Sequence, residues 1–245
     1  MSFLDLFRRH PKKPAVLTPY CACVVAAAGS SSRMGGIDKL FASVDGIPVL
    51  VRTLQALSAS PYINEITVVT RRETLLDVGA LCRGACLPKI TQVIVGGDSR
   101  LESVYKGVNQ LPAKVKLIAV HDAARCLVPR EVIDAAVVAA ARCHAAVPAV
   151  EVKDTIKEFD GEFVTATPDR STLRAVQTPQ VFRAELLRAA LQKAMDEGWE
   201  VTDDSSAVER LGATVALTPG DERNIKITTP LDLKVAEAIL QEDAL

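Results

Sequence analysis

The densest run of chemically useful residues is Ala26-Ala27-Ala28-Gly29-Ser30-Ser31-Ser32-Arg33-Met34-Gly35-Gly36-Ile37-Asp38-Lys39, directly behind the apolar stretch 21–28. Small side chains let backbone N–H groups approach a polyphosphate closely, and Arg33 and Lys39 supply countercharge. The run lacks the Gly-Lys-Ser/Thr of a P-loop. Serines stand where G-x-G-x-x-G needs its later glycines, which disfavours a nicotinamide cofactor. A flexible surface loop is the plainer reading, and two cations straight after an apolar strand weigh against it. A second run, Gly96-Gly97-Asp98-Ser99-Arg100-Leu101-Glu102-Ser103, combines close backbone approach with a helix start. There Ser103 either hydrogen-bonds a base or ribose or simply belongs to a well-capped helix. In His121-Asp122-Ala123-Ala124-Arg125, the Asp and Arg either hold a ligand hydroxyl, a metal-bound water and a phosphate, or form a structural ion pair. His121 reads as a satisfied core histidine.

Asp154-Thr155-Ile156-Lys157, Asp169-Arg170, Gln177-Thr178-Pro179-Gln180 and Asn224-Ile225-Lys226-Ile227 each read alone as polar loops. Their sum says more. Arg33, Lys39, Arg125, Arg170 and Lys226 lie in or beside predicted loops of a 245-residue chain with 29 basic and 30 acidic residues. Local cations on a chain of net charge −1 suit a substrate carrying several phosphates. They do not suit a protein that coats nucleic acid or an anionic membrane. No Ser-His-Asp order, zinc motif or carboxylate pair competes.

The elements that must position these residues are legible as alternation. Near-continuous apolar runs at 21–28, 65–70, 91–97, 116–121 and 145–150 suit strands covered on both faces. Amphipathic stretches at helical period lie between them, at 47–60, 72–86, 99–111 and 129–143. Ser99 with Glu102, and Pro129, are helix-start signals. The alternation predicts right-handed βαβ units and a three-layer, doubly wound α/β sandwich, whose ligands gather beyond the carboxyl ends of the strands. Residues 152–176 break the rhythm with two short alternating runs around Asp160-Gly161, a hairpin signal. They predict a projecting β-arm with little core of its own, stabilised by packing on a second copy as a homodimer. Beyond it come helix 183–197, a polar helix from Thr202, strand 213–218, and a last helix opened by Thr229-Pro230-Leu231-Asp232 and running to about 241.

At 49% apolar and 24% charged, this length supports a sizeable core without staples. No run approaches the roughly 18 apolar residues of a membrane helix. Residues 1–20 put apolar side chains before basic ones, the reverse of a secretory signal, and read as an N-terminal extension. Cys21, Cys23, Cys82, Cys86, Cys126 and Cys143 complete neither a disulfide framework nor a metal site. The expected setting is the reducing cytoplasm.

In order along the chain stand AAAGSSSRM, Asp38-Lys39, GGDSRLESV, HDAAR, DTIK, the Asp-Arg of TPDR, QTPQVF, TDDSSAVE and NIKIT. This set resembles the 2-C-methyl-D-erythritol 4-phosphate cytidylyltransferases, CTP-using enzymes of the non-mevalonate isoprenoid pathway. The resemblance covers about 21–241. It implies a single domain over 21–245 with a Rossmann-like, mostly parallel α/β/α nucleotidyltransferase fold. It also implies that Ala27, Ala28 and Gly29 contact the cytidine, that Gly97 and Ser103 help read base and ribose, and that Arg33 and Lys39 neutralise the triphosphate. Asp122, Arg125, Thr155, Arg170, Thr178 and Lys226 would hold the methylerythritol phosphate. Arg170 and Lys226 would join Arg33 and Lys39 among the catalytic cations. Thr155 and Arg170 would reach the neighbouring subunit's site. Mg²⁺ would be held mainly by the CTP phosphates, near Asp122. The family loop often has Gly where Ser31 stands and Pro-Lys-Gln where this chain has Asp38-Lys39-Leu40. The weighed alternatives are a ribitol-5-phosphate cytidylyltransferase, to which DTIK and the Asp-Arg pair look less close, and a non-catalytic nucleotide-binding module.

Overall fold

Strand β1 (Cys21–Ala27) shows why the apolar runs are nearly continuous. Cys21, Cys23, Val25 and Ala27 enter one buried core, while Ala22 and Val24 enter another on the opposite face. A strand alternates its side chains, so one covered on both faces has no polar side to show. The computed structural model describes residues 19–29 and 38–243. Residues 1–18 of the extension read over 1–20, and residues 30–37 with Arg33 among them, lie outside the described residues.

After β1 come the short hairpin strands β2 (Ser43–Val44) and β3 (Ile47–Pro48), then α1 (Val49–Ala59), β4 (Ile63–Thr70), α2 (Leu75–Gly84) and β5 (Ile90–Val95). The chain then returns through α3 (Arg100–Asn109) to β6 (Leu117–Asp122), followed by α4 (Arg130–Cys143) and β7 (Ala145–Glu151). The arm follows, with β8 (Glu158–Asp160) and β9 (Phe163–Ala166), and then β10 (Arg174–Val176) and β11 (Gln180–Arg183). Helices α5 (Ala184–Asp196) and α6 (Asp204–Arg210), strand β12 (Ala216–Pro219) and helix α7 (Pro230–Asp243) complete the fold.

The main sheet runs β10-β7-β11-β6-β1-β4-β5, with β12 on β7. β4, β5 and β6 are parallel to β1 and its neighbours, whereas β11 lies antiparallel between β6 and β7. The first core packs α1, α2 and α4 on one face, the second packs α3, α5 and α6 on the other. This is the expected three-layer, doubly wound sandwich. β1 has β4 on one side and β6 on the other, so the winding reverses there and the crevice belongs beyond its carboxyl end.

Some expectations shift. Residues 47–48 belong to the β2–β3 hairpin, and the helical stretch from 72 starts as a 3-10 turn, Arg72–Thr74. β5 stops at Val95, which frees Gly96 and Gly97 for the loop. The polar helix starts at Asp204 and the last strand at Ala216. Residues 174–176, counted in the arm over 152–176, instead form β10 on β7 in the main sheet, and β11 is not legible in the sequence, because strands of three or four residues are too short to show a period. In the arm, Asp160 closes β8 opposite Phe163, so the turn is Gly161-Glu162, and Gly161 takes the positive φ of 58° that suits glycine in the first position of a II′ turn.

Candidate active site

A crevice of about 700 Å³ opens beyond the carboxyl ends of β1, β4, β5 and β6. Ala27, Ala28, Gly29 and Lys39 line one side, Gly97 and Ser103 another, and Asp122 and Lys226 a third. Residues from four separated loops therefore meet at one place.

Asp122 ends β6 and is nearly buried. Its Oδ2 lies 2.7 Å from Lys226 Nζ and 3.8 Å from Arg125 Nε, and its Oδ1 lies 3.6 Å from an Arg100 nitrogen. Burial alone would raise this carboxyl, but Lys226, Arg100 and Arg125 outweigh it and hold its pKa down at about 2. The carboxylate gathers three cations that would otherwise repel one another. Arg125 donates to the Asn224 carbonyl at 2.6 Å, while its buried Nε has no hydrogen-bond partner among the described residues. Burial pulls the Arg125 guanidinium below its ordinary pKa against the opposing effect of Asp122.

The segment carrying Lys226 is stitched to the one carrying Thr178. The Gln177 side chain donates to the Asp221 carbonyl at 2.8 Å and accepts the Asp221 N–H at 3.2 Å. Fully buried Asn224 donates to the Gln177 side-chain oxygen and to the Thr178 carbonyl. The Ile227 N–H reaches the Ala124 carbonyl at 2.9 Å, so Lys226 is anchored on both sides.

Thr178 and His121 have inward roles. The Thr178 hydroxyl accepts the Asp122 N–H at 3.1 Å and lies 3.0 Å from His121 Nδ1, while His121 Nε2 lies 3.1 Å from the Arg125 carbonyl. A carbonyl can only accept, so the ring carries its hydrogen on Nε2 and receives the threonine hydroxyl hydrogen on Nδ1. Burial pushes the His121 pKa down to about 4, so the ring is neutral at working pH. It is the satisfied core histidine the sequence suggests, and it holds the backbone that aims Asp122 and Arg125.

Ser103, one turn into α3, is also spent on architecture. Its hydroxyl donates to the Ser99 carbonyl at 2.8 Å and accepts the Gly97 N–H at 3.0 Å. A Cβ on Gly96 would sit 2.6 Å from that oxygen, so glycine is needed for this close approach. Ser99 caps α3 as expected, accepting the Glu102 N–H at 3.0 Å, but Glu102 reaches back to the Asp98 N–H instead of completing the capping box.

The arm stands apart. Thr155 and Arg170 are exposed and do not line this crevice, and Arg170 donates to the Lys153 carbonyl at 2.8 Å. Conversely, the crevice includes Arg71, Arg72, Arg100 and Lys106, to which the sequence reading gave no role. Arg71 and Arg72 directly follow an apolar run, so the rule about strand carboxyl ends could have found them. Arg100 sits inside a quoted motif, but its partner Asp204 is too far along the chain to be inferred. Arg100 holds Asp204 with two hydrogen bonds, of 3.1 and 2.8 Å.

The family model described as 2-C-methyl-D-erythritol 4-phosphate cytidylyltransferase matches residues 21–242. A Synechocystis protein of that name is 43% identical over 219 residues, 89% of this chain and 95% of that protein. One from Caldanaerobacter subterraneus is 43% identical over 228 residues, 90% of this chain and 99% of its own. Among solved structures, the 4-diphosphocytidyl-2C-methyl-D-erythritol synthase of Anaerococcus prevotii superposes with a TM-score of 0.81 at 31% identity, covering 91% of this chain and 96% of its own. The 2-C-methyl-D-erythritol 4-phosphate cytidylyltransferase of Thermus thermophilus gives a TM-score of 0.73 at 34% identity, with coverage of 89% and 98%.

Proposed function

The chain belongs to the 2-C-methyl-D-erythritol 4-phosphate cytidylyltransferase family, and we propose that its crevice joins CTP to 2-C-methyl-D-erythritol 4-phosphate. The products are 4-diphosphocytidyl-2-C-methyl-D-erythritol and pyrophosphate. The observation that carries this reading is the convergence of the Ala27–Gly29 backbone, Gly97, Lys39, Asp122 and Lys226 on one crevice at the switch point of the sheet.

A phosphate oxygen of the polyol phosphate attacks the α-phosphorus of CTP in line. A new P–O bond forms there, the bond from the α-phosphorus to the bridging oxygen breaks, and pyrophosphate leaves with that electron pair. A phosphate monoester is already anionic at neutral pH, so no general base is needed. The protein orients the two substrates and stabilises the added negative charge. Lys39 belongs to the triphosphate side, together with Arg33 by family resemblance. Lys226 and Arg125, fixed by Asp122, suit the phosphate of the second substrate.

Mg²⁺ fits as an ion carried by the triphosphate. No group of three or more His, Cys, Asp or Glu side chains that could cage a metal occurs among the described residues. Mg²⁺ is commonly bound through substrate phosphates with one or two carboxylates. Asp122 is the nearly buried carboxylate of the crevice that would face it, and the ion would neutralise phosphate charge.

The arm supports a homodimer. Phe159, Phe163 and Val164 are 75%, 78% and 61% exposed, and β8 pairs with β9 alone among the described strands. Apolar side chains on so thin a hairpin suit burial against a second copy, which would bring Thr155 and Arg170 to the twin's crevice. No helix among the described residues is long and apolar enough to cross a membrane. All six cysteines are free thiols, which suits a reducing, cytoplasmic setting.

The decisive assay measures pyrophosphate released from CTP with methylerythritol phosphate against ribitol 5-phosphate, then with UTP in place of CTP. Preference for CTP with methylerythritol phosphate is expected. Equal or faster turnover with ribitol 5-phosphate would overturn the substrate assignment, and CTP binding without turnover on either would overturn the reaction.

A further inference from the structure

We propose that Arg71 is a positioning residue for the nucleotide side of the crevice, a two-headed clamp that fixes Lys39 relative to the Ala27–Gly29 backbone. The proposal rests on the reading of this crevice as a cytidylyltransferase site. Arg71 is the first residue after β4 and lines the crevice. One terminal nitrogen donates to the Gly29 carbonyl at 2.7 Å, and the other pairs with Asp38 Oδ2. Gly29 and Asp38 are the described residues on either side of positions 30–37. One guanidinium therefore ties Gly29, just beyond β1, to Asp38.

The tie reaches the chemistry through short, fixed links. Asp38 Oδ1 accepts the Leu40 N–H at 3.1 Å, and the Asp38 carbonyl accepts the Phe41 and Ala42 N–H groups at 3.1 and 3.2 Å. The turn that carries Lys39 is thus locked onto Asp38, and Arg71 locks Asp38 onto Gly29. With side chains 26% and 22% exposed, the Arg71–Asp38 pair is screened less than an open surface pair. A planar guanidinium fork serves a carbonyl and a carboxylate at once, which the single point charge of a lysine does not.

A direct contact between Arg71 and the triphosphate is the competing role, and Asp38 separates the two. If Arg71 acts as a clamp, Asp38→Asn harms CTP use, since the ion pair goes while an amide oxygen remains for the Leu40 N–H. If Arg71 binds phosphate itself, the same change leaves CTP use intact or improves it.

The test is steady-state kinetics of the full-length wild type, R71A, R71K and D38N, varying CTP and the polyol phosphate separately, with CTP affinity measured by calorimetry. In R71A, kcat/KM for CTP is expected to fall roughly 10- to 100-fold, as small misplacements of reacting groups do. KM for the polyol phosphate is expected to stay within about twofold. R71K is expected to remain close to R71A, and D38N to fall in the same direction. D38N with intact CTP use, restoration by R71K, or a rise in KM for the polyol phosphate as large as that for CTP would each overturn the clamp. A wild type without turnover would overturn the proposed reaction alone. The clamp would then be read from calorimetry, where R71A and D38N should both weaken CTP binding. Should R71A fail to fold, R71K and D38N carry the same comparison.

Discussion

Asp122 keeps its charge although nearly buried because three cations reach its two oxygens. With its pKa depressed to about 2, this carboxyl adds stability above the unfolded carboxylate range, and that stability is lost as pH falls through about 2. His121 acts at milder pH. The unfolded ring takes a proton below about 6.5, while burial delays protonation of the folded ring to about pH 4. Unfolding free energy should therefore fall as pH drops from about 6.5 to about 4, by up to about 1.4 kcal/mol for each pH unit. Urea titrations at pH 7 and pH 5 measure this, and His121→Gln should flatten the difference. An unchanged slope in that variant would assign the effect elsewhere. Lys39→Ala should lower kcat roughly 10²–10³-fold, the usual cost of one charge-stabilising donor, without moving the urea midpoint. Near-wild-type kcat would remove Lys39 from the reaction. Residue types read from the sequence marked Lys39 and Lys226 of the crevice but not Arg71, Arg72, Arg100 or Lys106, and Arg125 stands beside the crevice on Asp122 and does not line it. The Ser103 and Thr178 hydroxyls are committed to Ser99 and His121, which only the folded backbone brings within reach.

The elements work because they can approach one another closely. α3 crosses over β1 and β4 at Gly107, where an added Cβ would lie 2.7 Å from methyls of both Val24 and Val69. Gly107→Val should cost about 3 kcal/mol by overpacking, read as a lower urea midpoint, and should displace the helix that carries Ser103 and Arg100. A midpoint within error of wild type would show that the sheet can yield there. At the other end of this layer, α6 is capped by Asp203, with the Gln180 side-chain oxygen accepting the N–H groups of Asp204 and Ser205 at 3.1 and 3.0 Å. That places buried Asp204 on Arg100, and through it against Asp122. Asp204→Ala should destabilise by about 3 kcal/mol, the usual penalty for stripping one partner from a buried ion pair. A smaller loss would mean that Asp122 compensates alone. Local pattern marked α1 to α4 and the parallel strands β1, β4, β5 and β6, because burial on both faces of the sheet and on one face of each helix writes itself into the sequence, while α7 was legible from its start signal. It missed β11 and the Gly107 contact, because both are determined by which distant elements end up side by side.

At the scale of the whole molecule the open matter is which crevice each arm serves. The arm, whose hairpin β8–β9 is flanked by Thr155 and Arg170, exposes Phe159 and Phe163 and contributes no described residue to the crevice of its own chain. If the arms are exchanged in a dimer, a subunit with a damaged crevice can still lend an intact arm. Lys39→Ala chains have that composition, and Arg170→Ala chains have the converse one. Each variant alone should be nearly inactive. Unfolded together in equal amounts and refolded, they should form about one half heterodimers by random pairing. In every heterodimer, one crevice has its own Lys39 and receives the twin's Arg170, while the other lacks both. Turnover should therefore return to about a quarter of the wild-type value per chain. An arm that serves its own chain gives no recovery, since every crevice would then lack one cation or the other. Pairing Phe159→Asp with Phe163→Asp in both chains should abolish the recovery and give a monomer by light scattering. A dimer that persists through these changes would place the interface elsewhere.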